Sequence, residues 1–199
     1  MERKRELRRS TIARRNRLSP DEIRRLSAAA SSRLADLREF RKARTVMFFV
    51  SFGSEIDTVP AIREALAAGK RVAAPRVDRR KHALRPCEVT DLERDLAPGE
   101  YGIREPQRHC LTVPLEEIDA VIVPAAAWGE DGYRVGYGGG YYDRFLARVP
   151  SAVRIGLGFE MQVVPDAPHA RGDLPVDILV TDSRVRRFAH RSRPTGEAS

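Results

Sequence analysis

Asp119-Ala120-Val121-Ile122-Val123-Pro124-Ala125-Ala126-Ala127, then Arg134-Val135-Gly136-Tyr137-Gly138-Gly139-Gly140, then Tyr141-Tyr142-Asp143-Arg144-Phe145-Leu146-Ala147-Arg148-Val149, is the stretch that decides the fold class. Its first part is apolar without alternating, the mark of a strand buried on both faces rather than one. Its last part is a helix candidate, and glycines join the two. Four more runs read as strands: TVMFFVSF from Thr45, RVAAPRV from Arg71, RIGLGF from Arg154 and DILVTD from Asp177. Thr58–Ala68, closed by Gly69, is a helix candidate between TVMFFVSF and RVAAPRV, as Tyr141–Val149 is between DAVIVPAAA and RIGLGF. Non-alternating strands joined by helices predict an α/β fold, a single three-layer domain whose mostly parallel sheet is flanked by helices.

Outward from this centre, Glu2–Arg17 holds good helix formers with Leu7 and Ile12 as its main apolar residues. Ser19-Pro20-Asp21-Glu22 has the form of a capping box with proline at the first helical position. Ile23, Leu26, Ala30, Leu34 and Leu37 follow at spacings that place them on one helical face. Asp78–Pro114 is polar and rich in Pro and Gly, which predicts a long excursion carrying a small hairpin or a binding loop. The expected domain spans residues 1–184, and 185–199 reads as a polar, mobile tail.

The 199 residues are 42% apolar, enough for one sizeable core. The longest apolar run, Val46–Val50, falls far short of the roughly 18 residues of a membrane span. Nothing behind the N-terminus reads as a secretory signal, so the expectation is a cytoplasmic protein with no membrane association. Cys87 and Cys110 are too few and too isolated for a disulfide framework or a paired-cysteine metal site, and read as reduced thiols. The net charge of +8 is uneven: residues 1–44 hold 15 Lys or Arg against 6 Asp or Glu, and the remainder is close to neutral. Solvated helix faces and an anionic ligand both account for this better than RNA does, because the body is not basic and carries no RNA-binding motif. A monomer without a specific nucleic-acid partner is expected.

The glycine segment has two readings from its pattern. Glycines let a backbone approach a ligand closely, and amides at a helix N-terminus favour phosphate. Glycine clusters also serve geometry alone. A Walker ending is absent and the spacing does not match a dinucleotide fingerprint. Asp143 follows the loop and Asp173 lies in a second polar loop, Pro165–Pro175. Two carboxylates beside phosphates suit Mg2+ if the loops meet, while capping, turn formation or an Arg partner is the commoner role for either alone. Asp177 competes with them, although its place at a strand start favours structure. Glu55 stands beyond the carboxyl end of the first strand, where open parallel sheets bind ligands; an exposed loop acid is the alternative. The four histidines have no ligand spacing.

Together the segments resemble the 5-formyltetrahydrofolate cyclo-ligase family over about 180 residues. The parts are KRELR (Lys4–Arg8), FVSFGSEIDT (Phe49–Thr58), YGIREP (Tyr101–Pro106), RVGYGGGYYDR (Arg134–Arg144) and GDLPVDILVTD (Gly172–Asp182). The resemblance implies cyclisation of 5-formyltetrahydrofolate to 5,10-methenyltetrahydrofolate with ATP and Mg2+, releasing ADP and phosphate. It also implies roles: Lys4 and Arg8 on ATP phosphates; Arg134, Val135, Gly136, Tyr137, Gly138, Gly139, Gly140, Tyr141 and Tyr142 as the nucleotide loop. Val50, Glu55 and Tyr141 fall to the folate, Asp143 and Asp173 to magnesium, and Arg134 and Tyr141 to catalysis. Some members carry basic side chains where this chain has Tyr137 and Gly139. Trp128-Gly129 replaces an expected Phe-Asp, leaving Trp128 either to stack on the pteridine or to fill the core. The loop Asp166–Gly172 is also unusual. The competing classes are a family member that binds without catalysing, an RNA-binding module and a phosphosugar enzyme on a related scaffold.

Overall fold

Five parallel strands form the centre of the sheet, because the runs that do not alternate can bury both faces only in its interior. The computed structural model describes residues 2–99 and 102–189; Tyr101, His190 and the rest of the expected tail to residue 199 lie outside them. Three helices come first, α1 (Glu2–Arg15), α2 (Pro20–Asp36) and α3 (Arg38–Lys42). They are followed by β1 (Thr45–Met47), α4 (Val59–Ala67), β2 (Arg71–Asp78) and β3 (Ala83–Val89). Next come α5 (Leu92–Asp95), β4 (Leu96–Pro98), β5 (Arg104–Pro106), β6 (Ala120–Val123), β7 (Ala127–Gly129) and β8 (Arg134–Val135). The chain continues through α6 (Tyr141–Arg148), β9 (Val153–Leu157), β10 (Val163–Val164), β11 (Ile178–Val180) and β12 (Val185–Arg187).

The main sheet runs β12-β11-β9-β6-β1-β2-β3, with the interior parallel and both edge strands antiparallel. Successive residues of a strand face opposite sides, so Val46 and Phe48 join one core with Leu34, Phe40 and Ile62 of the first helices. Met47, Val121 and Val123 face the other way, onto Trp128, Phe145 and Leu146. Ser19 and Glu22 make the capping box that starts α2, with Pro20 at its first position. The stripe behind that cap is seated as its spacing requires: Ala30, Leu34 and Leu37 are buried, and Ile23 and Leu26 pack against the same core.

Three expectations change in detail. TVMFFVSF is a strand only to Met47, with one further backbone bond from Phe48 N to Ala73 O. Carrying the registers Met47–Ala73 and Met47–Val121 forward brings Phe49 level with Pro75 and Val50 with Pro124, and neither proline has an amide hydrogen to donate. The excursion after Asp78 begins as β3, paired along β2 from Val72–Val89 to Asp78–Ala83, before the β4–β5 hairpin. The tail expected from Val185 instead begins as β12, since Val185, Arg186 and Arg187 pair with Val180, Leu179 and Ile178.

The strand order places the site. From β1 the chain steps through α4 to β2 on one side, and after β3 it returns to β6 on the other. Connections therefore leave β1 and β6 in opposite directions, which opens a crevice at the carboxyl ends of these two strands. Phe49 and Val50 after β1, and Pro124 after β6, line the cavity found there.

Candidate active site

The cavity has a volume of about 810 Å3, within the range of small-molecule sites. The sequence-predicted parts that meet in it are α1, the 49–55 turn, Arg134 with the 136–143 loop and helix start, and Asp173; β2, β3, the 103–105 segment and Pro124 complete the lining. The loop needs its glycines where the backbone is left-handed, at Gly138 (φ +107°) and Gly140 (φ +62°), the cap of α6. At Gly139 the constraint is space, because a Cβ would lie 2.7 Å from the Tyr141 ring. A side chain at this position would require the Tyr141 ring to shift.

α1 presents polar chemistry on its inner face. Lys4, Arg8, Thr11 and Arg15 recur at helical spacing, and Thr11 and Arg15 are the residues it buries, rather than Ile12. Arg8 Nε donates to Gly136 O at 2.7 Å and Lys4 Nζ to Asp173 Oδ2 at 2.5 Å. Leu7 packs with Ala127, Val135 and Ala167. Arg15 Nη1 donates to the Tyr137 hydroxyl at 2.9 Å and its Nε to Ser54 Oγ at 3.0 Å.

The two candidate metal acids come together. Asp143 Oδ1 accepts from Arg134 Nη2 at 2.8 Å and from Leu174 N at 3.0 Å, which ties the start of α6 to the residue beside Asp173. Asp173 Oδ2 accepts from Lys4 and from Ala170 N at 2.7 Å. Each carboxylate thus has one oxygen without a hydrogen bond among the described residues. Two hard oxygen donors on one wall of a cavity fit a divalent cation such as Mg2+, which takes one or two carboxylates and completes its shell with substrate oxygens and water. Desolvation alone would raise the Asp173 carboxyl, but Lys4 and the Ala170 amide hold it below its ordinary value.

Glu55 lines the same cavity from the 49–55 turn. Its Oε2 accepts from Phe52 N at 3.0 Å, and its carboxylate also meets the Tyr137 hydroxyl. Burial pushes its carboxyl above the ordinary range despite those bonds and the nearby Arg15 charge. Tyr137 is 46% exposed, yet its hydroxyl turns inward to Arg15 and Glu55; desolvation and the Glu55 charge raise it far above an ordinary phenol. The Tyr142 hydroxyl is buried without a hydrogen-bond partner among the described residues, and burial raises it strongly.

Of the residues singled out from sequence, Lys4, Arg8, Val50, Glu55, Arg134, Gly136 to Asp143 and Asp173 all line this cavity. Val135 does not; its side chain is buried with Ala127 and Ala167. Trp128 is wholly buried in the core, where a Cβ at Gly156 or Gly158 would stand 2.6 Å from its indole, so it is no stacking platform for a ligand. Asp177 accepts from Arg154 N at 2.8 Å and joins β11 to β9, a structural role. Sequence reasoning missed Arg15, although its spacing from Lys4 and Arg8 on α1 was a usable signal. It also gave no role to Glu105, which lines the cavity and accepts from Val77 N at 3.2 Å, although the segment YGIREP that carries part of the resemblance contains it.

The model of the 5-formyltetrahydrofolate cyclo-ligase family matches residues 1–182. The chain belongs to this family. A 5-formyltetrahydrofolate cyclo-ligase of Escherichia coli K12 is 32% identical over 182 residues, covering 86% of this chain and 96% of that protein. The structure of Aquifex aeolicus 5,10-methenyltetrahydrofolate synthetase matches with a TM-score of 0.83 at 35% identity, over 98% of this chain and 97% of that one. A Mycoplasma pneumoniae 5,10-methenyltetrahydrofolate synthetase, 21% identical, shares the fold with a TM-score of 0.73, covering 90% and 98% of the two chains. The family catalyses the ATP-dependent conversion of 5-formyltetrahydrofolate to 5,10-methenyltetrahydrofolate, and this chain is an enzyme of that class. Among the described residues, no helix is long and apolar enough to cross a membrane.

Proposed function

We propose that the cavity at the carboxyl ends of β1 and β6 holds both substrates at once, with ATP along α1 and the glycine loop and the folate against Val50 and Glu55. One observation carries this reading: a single cavity is lined by the cations Lys4 and Arg8, the glycine loop, two carboxylates and a half-buried acid, Glu55, with the apolar Phe49 and Val50. Lys4, Arg8 and the amides of Gly136–Gly140 hold the phosphates. Val50 packs on the pteridine, Glu55 accepts from its polar edge, and Tyr141 stands between the ligands. Asp143 and Asp173 hold Mg2+, which when bound offsets charge on the phosphate oxygens.

The difficulty in this reaction is that an amide-like formyl oxygen is a poor leaving group. In the proposed course that oxygen attacks the γ-phosphorus while the bond to ADP breaks, giving a phosphorylated, imine-like carbon. N10 then attacks that carbon, the carbon–oxygen bond breaks and phosphate leaves with the N10 proton. The protein's task is alignment of formyl oxygen, γ-phosphate and N10 together with charge stabilisation. Arg134 is set for the second part: it is buried at the cavity wall, and its contacts to Asp143 and Leu174 O fix its guanidinium.

The test is the appearance of methenyltetrahydrofolate absorbance when purified chain meets 5-formyltetrahydrofolate, ATP and Mg2+. Product that requires both ATP and Mg2+ is the expected result. Folded chain that binds either ligand and makes no product would instead be a binding protein, and absence of any binding would reject the assignment of the cavity.

A further inference from the structure

We infer that Arg15 is a positioning residue that links the two ligand sites, so that nucleotide and folate bind with positive cooperativity through an Arg15–Tyr137–Ser54 bridge. The inference rests on the reading of the cavity just given. Its basis is the place of one side chain. Arg15 is only 5% exposed although it carries a permanent charge, and it lies beyond the cavity lining, behind both loops. Among the described residues no carboxylate lies within ion-pair distance of it, although Glu55 is close enough to feel its charge; its guanidinium donates to hydroxyls, Tyr137 at 2.9 Å and Ser54 at 3.0 Å. Those hydroxyls belong to different loops. Tyr137 stands in the glycine loop assigned to ATP, and Ser54 precedes Glu55 in the turn assigned to folate.

The bridge continues on both sides. Ser54 Oγ donates to Asn16 Oδ1 at 2.5 Å, which holds the turn against the end of α1. Tyr137 meets the Glu55 carboxylate directly, and the Arg15 guanidinium also stands 5.9 Å from the Tyr137 ring centroid. Apart from that Tyr137–Glu55 contact, the polar tethers of the glycine loop, Arg8 to Gly136 O and Arg144 to Gly139 O, hold the loop without touching the 51–55 turn. Arg15 touches both.

A glycine-rich loop with two left-handed residues and an exposed tyrosine ring has conformational freedom to lose when phosphates bind. Once it is ordered, Tyr137, Arg15 and Ser54 fall into one arrangement, and Glu55 meets the folate already placed. The second ligand then loses less entropy than the first, which is cooperativity without a large movement. Linkage requires the effect to be equal in both directions.

Calorimetry on the full chain tests this, using 5-formyltetrahydrofolate and a non-hydrolysable ATP analogue with Mg2+, each titrated with and without the other. In the wild type each ligand should tighten the other by about tenfold. Arg15→Lys keeps the charge and loses the fork, and should bring that factor close to one. Tyr137→Phe should do the same, and the double variant should lose no more than either single one. If Arg15→Lys does not fold, Tyr137→Phe, whose ring is half exposed, carries the test alone. A purely structural Arg15 would weaken both affinities and leave the linkage factor at its wild-type value; that result overturns the inference. Ligands that bind the wild type and turn over without affecting each other overturn the inference alone. A wild type that binds neither ligand overturns the reading of the cavity as well.

Discussion

Asp95, beside the β4–β5 hairpin, and the pair Asp143 and Asp173 in the cavity are all carboxylates surrounded by cations, yet they do different work. Asp95 lies near the surface but is shut off from water by its own donors, its side chain only 3% exposed. Its Oδ2 accepts from Thr90 N, Asp91 N and the Thr90 hydroxyl at 2.8 to 3.1 Å, and its Oδ1 accepts from Arg94 Nε at 2.7 Å and meets His109 Nε2 at 3.1 Å. The Arg94 bond first, helped by those amides and His109, holds its carboxyl far below the usual carboxylate range. Asp143 and Asp173, about a quarter exposed, each have one oxygen engaged and one open. Asp95, His109 and Cys110 form the more familiar metal-ligand set by residue type, with ligand atoms within 4.8 Å of one another. Saturation decides between them: a carboxylate whose lone pairs are all taken is a structural hub, and one with a free oxygen has capacity for a ligand.

The comparison breaks most readily at Asp143. Asp143→Asn should lower kcat at saturating MgATP by about a hundredfold or more, the size of effect seen when one preorganised electrostatic contact is removed. Its stability should fall by less, about 1 kcal/mol, because the amide oxygen still accepts from Arg134 and Asp173 still offsets that charge. An unchanged rate would remove Asp143 from the metal role. Asp95→Asn should invert the pattern: a loss of about 2 kcal/mol in urea unfolding, with kcat of the folded fraction within about twofold of wild type. Turnover that falls while stability holds would mean that the hairpin belongs to the active machinery. Lys4→Ala comes next, raising KM for ATP by about tenfold with a smaller effect on kcat, since its ion pair with Asp173 is replaceable by a cation in the site. Unaltered ATP kinetics would return Lys4 to a solvated helix face.

The same contrast explains what was legible in the sequence. The parallel core could be read because runs such as AVIV at Ala120–Val123 lack alternation, and the capping box because Ser19 and Glu22 act over a single turn. The strand candidate from Thr45 ran too long because its end is set by prolines on neighbouring strands, a fact of register. Val185–Arg187 reads as tail in the sequence because three polar-flanked residues gain their pairing only from β11. Within the cavity, Asp143 and the glycine loop announce themselves by local pattern, whereas Asp173 is joined to them through Leu174 N and Lys4, contacts between residues far apart in the chain. Arg15 was concealed by its neighbours, as one of many arginines on a helix whose polar face is the buried one.

The smallest expected effect sharpens the comparison through the sign of a titration. Asp95 has a lowered carboxyl, so its contribution to stability is present at neutral pH and is lost as pH falls toward its folded value. Glu55 has a raised one: folding binds its proton more tightly, so it weakens the fold as pH rises above the ordinary carboxyl range. Glu55→Gln should therefore stabilise the ligand-free chain at about pH 7, by about 0.5 kcal/mol, while turnover drops because the folate has lost its anionic acceptor. At about pH 4, where most of the Glu55 carboxyl is protonated in either state, the two chains should unfold at the same urea concentration. A variant that is less stable than wild type at neutral pH would show that Glu55 is held as Asp95 is, by donors that more than offset its burial, and the distinction between a saturated acid and an available one would fail at this position.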